Sequence, residues 1–247
     1  MFRLLRYALF LVIFSACTAH YKISDTKPSH YELKSAKNDS MALLSTLPYK
    51  QKLDIEMKKV VAQSDSALTR EGFETSLGNF VMMATEEYIN TNRKEFAGNC
   101  VIMINRGGLR NNLPKGEITK GNIFELMPFD NEIVILKISG QKLFDGIKAM
   151  LKEKKLVAWN LSMKIRVDAP EDIQVNGKPF DISQDFYVVT SDYLAMGGDN
   201  CSFLGKPISY EDTNEKIRDA IITYCENLTK NNKHIQPKRT GGFKISE

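Results

Sequence analysis

The segment Cys100–Arg110 reads CVIMINRGGLR and joins an apolar run to a glycine-rich polar loop. The first five residues form a short uninterrupted apolar run, which favours a buried β-strand. Gly107 and Gly108 let the backbone bend tightly and approach a ligand, because no Cβ stands in the way. Asn105 offers an amide and Arg110 a planar guanidinium that suits phosphate or ribose oxygens. An ordinary tight turn with a surface arginine is the alternative interpretation of this loop alone.

A second segment has the same arrangement further along the chain. The run Phe186–Thr190 has strand character and is followed by Tyr193–Asp199, which reads YLAMGGD. Gly197 and Gly198 again free the backbone, and Asp199 offers a carboxylate that can accept hydrogen bonds from a diol. Taken alone, this loop also fits a turn in which Asp199 caps the local backbone. The chain thus has two candidate ligand-binding loops, each after a strand.

Around these loops, helix and strand patterns alternate and predict a mixed α/β domain with layered sheets and helices. Three local signals support the boundaries: an N-cap at Thr119, a hairpin turn at Asn176-Gly177, and a helix start at Asp212 with Glu215 three residues later. We predict helices at Leu77–Ile89, Lys120–Leu126, about Gly140–Leu151 and Asn214–Leu228, and strands at Cys100–Ile104, Glu132–Ile138, Leu156–Val167 and Phe186–Thr190.

The N-terminus has the pattern of an export signal. Arg3 and Arg6 precede the apolar run Tyr7–Phe14, which is too short to span a bilayer and leads into Ser15-Ala16-Cys17. A cysteine directly after small residues resembles a bacterial lipoprotein signal, in which residues 1–16 are removed and the Cys17 thiol is acylated. Plain cleavage nearby and an uncleaved anchor are the alternatives. We expect an exported lipoprotein on a periplasm-facing bacterial membrane.

Composition divides the remaining chain into three parts. Residues 17–50 are rich in Ser, Lys, Thr and Asp, which predicts a lipidated cysteine followed by a flexible tether. Residues 51–228 carry the predicted domain, and residues 229–247 are interpreted as a solvated basic tail. The formal net charge is +4, and removing Arg3 and Arg6 leaves +2, so we expect no nucleic-acid partner.

The positions of the histidines exclude several kinds of active site. The chain has three, His20, His30 and His234, and all lie outside residues 51–228. A Ser-His-Asp or Cys-His catalytic unit therefore has no base in the predicted domain. A dinuclear phosphatase centre would lack imidazole ligands there. We expect no catalytic residue, no metal ligand and no cofactor in this chain.

The cysteines beyond Cys17 show no CxxC spacing and do not indicate a zinc or redox site. We interpret them as small buried hydrophobes that form at most one disulfide. They are Cys100, Cys201 and Cys225.

Five segments carry a more specific signal through their order and spacing. They are Glu74–Asn79, Asn105–Arg110, Ile118–Thr119, Pro128–Phe129 and Tyr193–Asp199. Together they resemble the C-terminal domain of 5'-nucleotidases and UDP-sugar hydrolases. The resemblance covers about residues 53–228 and implies the fold of that substrate-specificity domain.

The resemblance also implies a role for individual residues. In the family the base stacks between two aromatic rings, which correspond here to Phe129 and Tyr193. The aspartate of the second loop contacts ribose hydroxyls, which corresponds to Asp199. The asparagine and arginine of the first loop contact ribose and nearby oxygens, which corresponds to Asn105 and Arg110. The remaining members of the implied substrate-binding set are Gly107, Gly108, Gly197 and Gly198.

Several positions depart from the family pattern. Tyr193 stands where phenylalanine is usual, and Arg106 and Asn200 stand where glycine is usual. Arg70 lies near the position of a further family arginine but is out of register with it.

In the family, an N-terminal metallophosphatase domain binds two metals and cleaves the phosphate ester; here a signal and tether take its place. We therefore expect the nucleotide-recognition component of a periplasmic 5'-nucleotidase for nucleotide catabolism and salvage. Its partners would be a nucleoside or nucleotide, a membrane, and a separate metallophosphatase chain that supplies the divalent metals and the hydrolysis. The alternatives are a non-catalytic nucleoside- or nucleotide-binding lipoprotein used for scavenging, and a scaffold that has lost the ligand.

Overall fold

A computed structural model describes residues 26–30, 39–72, 74–167, 169–237 and 242–245. The predicted signal and Cys17 lie outside these residues. The helices are α1 (Ser40–Met57), α2 (Ser76–Asn92), α3 (Lys120–Leu126), α4 (Gly140–Lys152), α5 (Asp192–Ala195) and α6 (Ile217–Lys230). The strands are β1 (Val60–Ser64), β2 (Cys100–Asn105), β3 (Gly116–Thr119), β4 (Glu132–Ser139), β5 (Leu156–Trp159), β6 (Leu161–Arg166), β7 (Ala169–Val175), β8 (Lys178–Pro179), β9 (Asp185–Ser191), β10 (Ser209–Lys216) and β11 (Phe243–Ile245). These elements confirm the predicted mixed α/β class.

The main sheet has five strands in the order β10-β4-β9-β2-β5. Strands β2 and β9 run parallel, with Cys100 opposite Tyr187, and the other neighbours are antiparallel. Every residue of β2 is buried, so both faces of this strand are covered. Helices α2 and α4 supply much of the cover, because each has an apolar stripe directed at the core.

The segment predicted as one strand over Leu156–Val167 forms two strands in different sheets. Asn160 lies between β5 and β6 with a left-handed backbone (φ 60°), which turns the chain out of the main sheet. Strand β6 instead joins the four-stranded sheet β11-β6-β7-β8. The predicted turn at Asn176-Gly177 is confirmed: both residues have positive φ (51° and 72°) and join β7 to β8.

The last helix begins at Ile217, so the predicted start at Asn214 was wrong. Residues Ser209–Lys216 pair with β4 as an edge strand instead. The Asp212 carboxylate accepts the backbone N–H of Asn214 (2.9 Å) in a local turn and does not cap a helix. A polar run on a solvent-facing edge has little periodic signal, and its pairing with distant residues decided the outcome.

The structure describes part of each predicted flank. Helix α1 begins inside the segment 17–50 and has no buried residue. In the segment 229–247, Ile235 is buried and its N–H donates to the carbonyl of Gln63 (2.7 Å). Strand β11 pairs in parallel with β6. Backbone pairing therefore brings parts of the expected basic tail onto the domain.

The three cysteines of the domain are buried free thiols, as interpreted from the sequence. Burial raises the pKa of Cys100 and Cys225 to about 12 and that of Cys201 to about 11. They therefore stay protonated at neutral pH and behave as small apolar side chains.

Candidate functional site

A cavity of about 400 Å³ brings most of the predicted site residues together. Two of the loops that line it follow the carboxyl ends of β2 and β9, and a third segment joins α3 to β4. Because β2 and β9 are parallel neighbours, their carboxyl ends meet at the same edge of the sheet, where ligands bind in many α/β folds. The lining residues are Asn105, Gly107, Gly108, Arg110, Phe129, Asn131, Tyr193 and Asp199. Of these, the sequence reasoning missed Asn131, a polar residue before β4 that no motif marked.

The first loop is fixed at both of its ends. The N–H of Arg106 donates to the carbonyl of Lys155 (2.8 Å), and the N–H of Arg110 donates to the carbonyl of Leu126 (2.8 Å). The guanidinium of Arg70, which lies outside the cavity, donates to the carbonyl of Leu109 (2.7 Å) and stabilises the loop. These bonds hold Asn105 and Arg110 in place without using their side chains.

Arg106 departs from the family pattern, but its side chain is directed away from the cavity. Its guanidinium donates to the carbonyl of Gly72 (2.6 Å), and Arg106 is not among the lining residues. Burial lowers its pKa. The added bulk and charge at this position therefore leave the cavity open.

The second loop turns sharply after β9. The hydroxyl of Ser191 accepts the N–H of Leu194 (3.2 Å) and caps the short helix α5. Gly197 then adopts a left-handed backbone (φ 93°), which favours glycine. A Cβ on Gly198 would lie 2.5 Å from the ring of Tyr193, so the ring lies directly against this residue. Gly197 and Gly198 do not line the cavity; they shape the loop that does.

Asp199 joins the two loops. Its Oδ2 accepts a short hydrogen bond from the Asn105 amide, and its Oδ1 accepts the hydroxyl of Tyr193 (3.1 Å). A carboxylate and an amide therefore stand side by side at the cavity wall, with acceptor and donor groups for a polyhydroxylated ligand.

Phe129 and Tyr193 give the cavity its aromatic surface. Each is 45% exposed, so part of each ring is available to contact a ligand. The guanidinium of Arg110 lies 6.0 Å from the centroid of the Phe129 ring. The cavity thus combines two aromatic rings with one carboxylate and one cation.

Arg218 on α6 positions the segment that carries Phe129, and no sequence motif pointed to it. It donates to the carbonyls of Met127 and Phe129 (3.4 Å each) and forms an ion pair with Asp130. Its guanidinium lies 4.1 Å from the centroid of the Phe124 ring. Hydrogen bonds from Lys216 and Arg218 lower the pKa of Asp130.

In the described part of the chain, no three His, Cys, Asp or Glu side chains group as a metal site would require. None of its helices combines the length and apolarity needed to cross a bilayer.

Comparison with known proteins shows the family of this chain. The protein-family model described as "5'-nucleotidase, C-terminal domain" matches residues 57–206, more than half of the chain. The chain belongs to this family. The resemblance inferred from the sequence is therefore confirmed.

Related proteins include Protein UshA of Escherichia coli, which is 23% identical over 207 residues, covering 79% of this chain and 36% of UshA. The probable 5'-nucleotidase of Treponema pallidum is 27% identical over 147 residues, covering 51% of this chain and 25% of that protein. The chain thus spans about a third or less of the length of these relatives.

Solved structures confirm the predicted 5'-nucleotidase C-terminal domain fold. The 5'-nucleotidase precursor from Thermus thermophilus superposes with a TM-score of 0.70 at 22% identity, covering 85% of this chain and 44% of that one. A 5'-nucleotidase described as putative, from Staphylococcus aureus, gives 0.66 at 14% identity, with 86% and 45% covered.

Proposed function

We propose that the cavity binds the nucleoside part of a nucleotide. The base would stack on Phe129 and Tyr193, the ribose hydroxyls would donate to Asp199, and Arg110 would face the ribose or phosphate oxygens. The observation that carries this proposal is the pair of half-exposed rings on one cavity with a carboxylate and an arginine. Stacking of a base on an aromatic ring contributes about 1–3 kcal/mol and tolerates any base.

The reaction that this recognition serves would be phosphate-ester hydrolysis. The names of the relatives support this class: one is a probable 5'-nucleotidase and another a trifunctional nucleotide phosphoesterase, from Bacillus subtilis. We place the divalent metals and the hydrolytic step on a separate metallophosphatase chain, and the recognition step on this domain.

Binding is tested by calorimetric titration of the protein with adenosine and AMP. Both should bind, and Tyr193→Ala and Phe129→Ala should each raise Kd about tenfold, in line with the loss of one stacking partner. Tyr210→Ala is a matched control, because Tyr210 is similarly exposed (47%) but lies on β10 outside the cavity. No heat at millimolar nucleoside would favour a scaffold without a ligand.

The division of labour is tested by phosphate release from AMP in the presence of divalent metal. The protein alone should release none, and adding a metallophosphatase encoded beside it should give release that Tyr193→Ala weakens. Turnover by the protein alone would contradict the two-chain arrangement. Binding of AMP without any effect on such a phosphatase would favour a scavenging protein.

We propose that the protein lies on the periplasmic face of a bacterial membrane, to which a lipid on Cys17 attaches it. The pattern Arg3 to Cys17 supports this proposal. Cys17→Ser should move the protein from the membrane fraction to the soluble fraction, and mass spectrometry of the mature wild-type N-terminus should find acyl chains on Cys17. An unmodified N-terminus at another residue would contradict it.

A further inference from the structure

Both oxygens of the Asp199 carboxylate already have a partner within the protein. Oδ2 accepts the amide of Asn105, and Oδ1 accepts the hydroxyl of Tyr193 at 3.1 Å. An ionised carboxylate only accepts hydrogen bonds, so any hydroxyl of a ligand must approach the same oxygens as these donors.

The Tyr193 hydroxyl reaches Asp199 because the loop between them folds back on itself. The left-handed backbones of Gly197 (φ 93°) and Asp199 (φ 50°) reverse the chain direction. The ring lies against Gly198, where a Cβ would be 2.5 Å away. The ring and the carboxylate that line the cavity are thereby linked to each other by one hydrogen bond.

We propose that the hydroxyl of Tyr193 is a specificity-determining group that competes with the diol of a ligand for Asp199. This inference rests on the proposed nucleoside site. The tyrosine hydroxyl takes one acceptor position of Oδ1 and lowers the negative charge left for a further donor, so a diol meets a weaker acceptor. A phenylalanine ring at this position would stack equally well and leave every acceptor position of Oδ1 to the ligand. The hydroxyl therefore lowers the preference of the site for ligands with a diol.

The test compares wild type and Tyr193→Phe with two ligands that share a base, adenosine and 2',3'-dideoxyadenosine, by calorimetric titration of the full protein. Only adenosine carries the diol. Tyr193→Phe should tighten adenosine about threefold, because the hydroxyl takes only part of the acceptor capacity of the Asp199 carboxylate. The Kd of dideoxyadenosine should not change, because stacking is the same for both rings.

The control is Tyr210→Phe, which removes an exposed tyrosine hydroxyl outside the cavity and should change neither affinity. Unchanged or weaker adenosine binding by Tyr193→Phe would overturn the inference and leave the nucleoside site standing. An equal change for both ligands would assign the effect to stacking and would also overturn it. If neither protein binds adenosine, the nucleoside site itself fails, and the inference fails with it.

Discussion

The two aromatic side chains of the cavity, Phe129 and Tyr193, have the same exposed fraction but are held in different ways. Phe129 lies on a segment whose carbonyls accept hydrogen bonds from Arg218, a buried residue of α6 that is distant along the chain. Tyr193 is held by its own loop, through contact with Gly198 and one hydrogen bond to Asp199.

Because of this difference, changes near Phe129 should mainly affect the stability of the domain, and changes near Tyr193 should mainly affect ligand affinity. A change at Arg218 disturbs the contacts of α6 with α3 and with the segment that joins α3 to β4, so it should lower the free energy of unfolding of the whole domain. A change in the loop of Tyr193 affects a few neighbouring residues, so it should alter affinity while the fold is kept. Local and global effects of this kind are common in folded domains.

The largest effect is expected from Arg218→Met. Methionine keeps an apolar stem against Phe124 but removes the donor to the carbonyls of Met127 and Phe129. The free energy of unfolding should fall by about 2 kcal/mol, because buried polar groups lose their partner. Urea titration measures it.

Lys216→Met serves as the matched control for Arg218→Met. Lys216 also contacts Asp130 (3.1 Å), but its side chain is more exposed and it supports no backbone carbonyl of that segment. Its loss should leave the urea midpoint nearly unchanged, as for most surface ion pairs. Equal losses for the two variants would show that Asp130, rather than the carbonyls, accounts for the support.

The next effect is expected from Gly198→Ala, which should act on binding more than on stability. The new Cβ displaces the half-exposed Tyr193 ring and breaks its hydrogen bond to Asp199, so the free energy of unfolding should fall by only about 1 kcal/mol. The Kd for adenosine should rise about tenfold through loss of one stacking surface. Calorimetry and urea titration on the same variant separate the two quantities.

Gly177→Ala is the control for the loss of a glycine, because it should lower stability and leave adenosine affinity unchanged. Gly177 lies in the β7–β8 turn with φ 72° and no atom near its Cβ position, so alanine there costs backbone strain of about 1 kcal/mol but no contact. Its adenosine affinity should equal that of wild type. If Gly198→Ala behaves in the same way as Gly177→Ala, the ring does not depend on Gly198.

The features that the sequence predicted are those that depend on near neighbours. Thr119 caps α3 with Asn122 in a reciprocal arrangement, and Asn176-Gly177 forms the β7–β8 turn; each signal lies within a few residues of its element. Both glycine loops of the cavity belong to this class, since each directly follows its strand. Their placement on one cavity needed the parallel pairing of β2 and β9, which no local pattern encodes.

The features that the sequence missed depend on residues far apart along the chain. Arg218 sits in an amphipathic helix, where an arginine is ordinarily a solvated residue, and only the packing of α6 brings it to Phe129. The edge strand β10 is polar and gains its hydrogen bonds from β4. Asn160 ends β5 through its backbone conformation, inside a run whose alternation continues on both sides.

The smallest effect should come from the charge of Asp130, and it should depend on pH. Hydrogen bonds from Lys216 and Arg218 hold the pKa of Asp130 below its ordinary value of 3.8, so the folded protein binds this proton less tightly than the unfolded chain. The carboxylate therefore stabilises the fold above the ordinary pKa, and this contribution is lost as the pH falls through the lowered pKa.

Asp130→Asn should be slightly less stable than wild type at pH 7, and the two urea midpoints should converge between about pH 5 and pH 2. Salt at about 1 M should shrink the difference at pH 7, because the side chain is exposed and the ion pairs are screened. Midpoints that differ by the same amount at every pH would show that the support of Phe129 comes from the Arg218–carbonyl bonds alone.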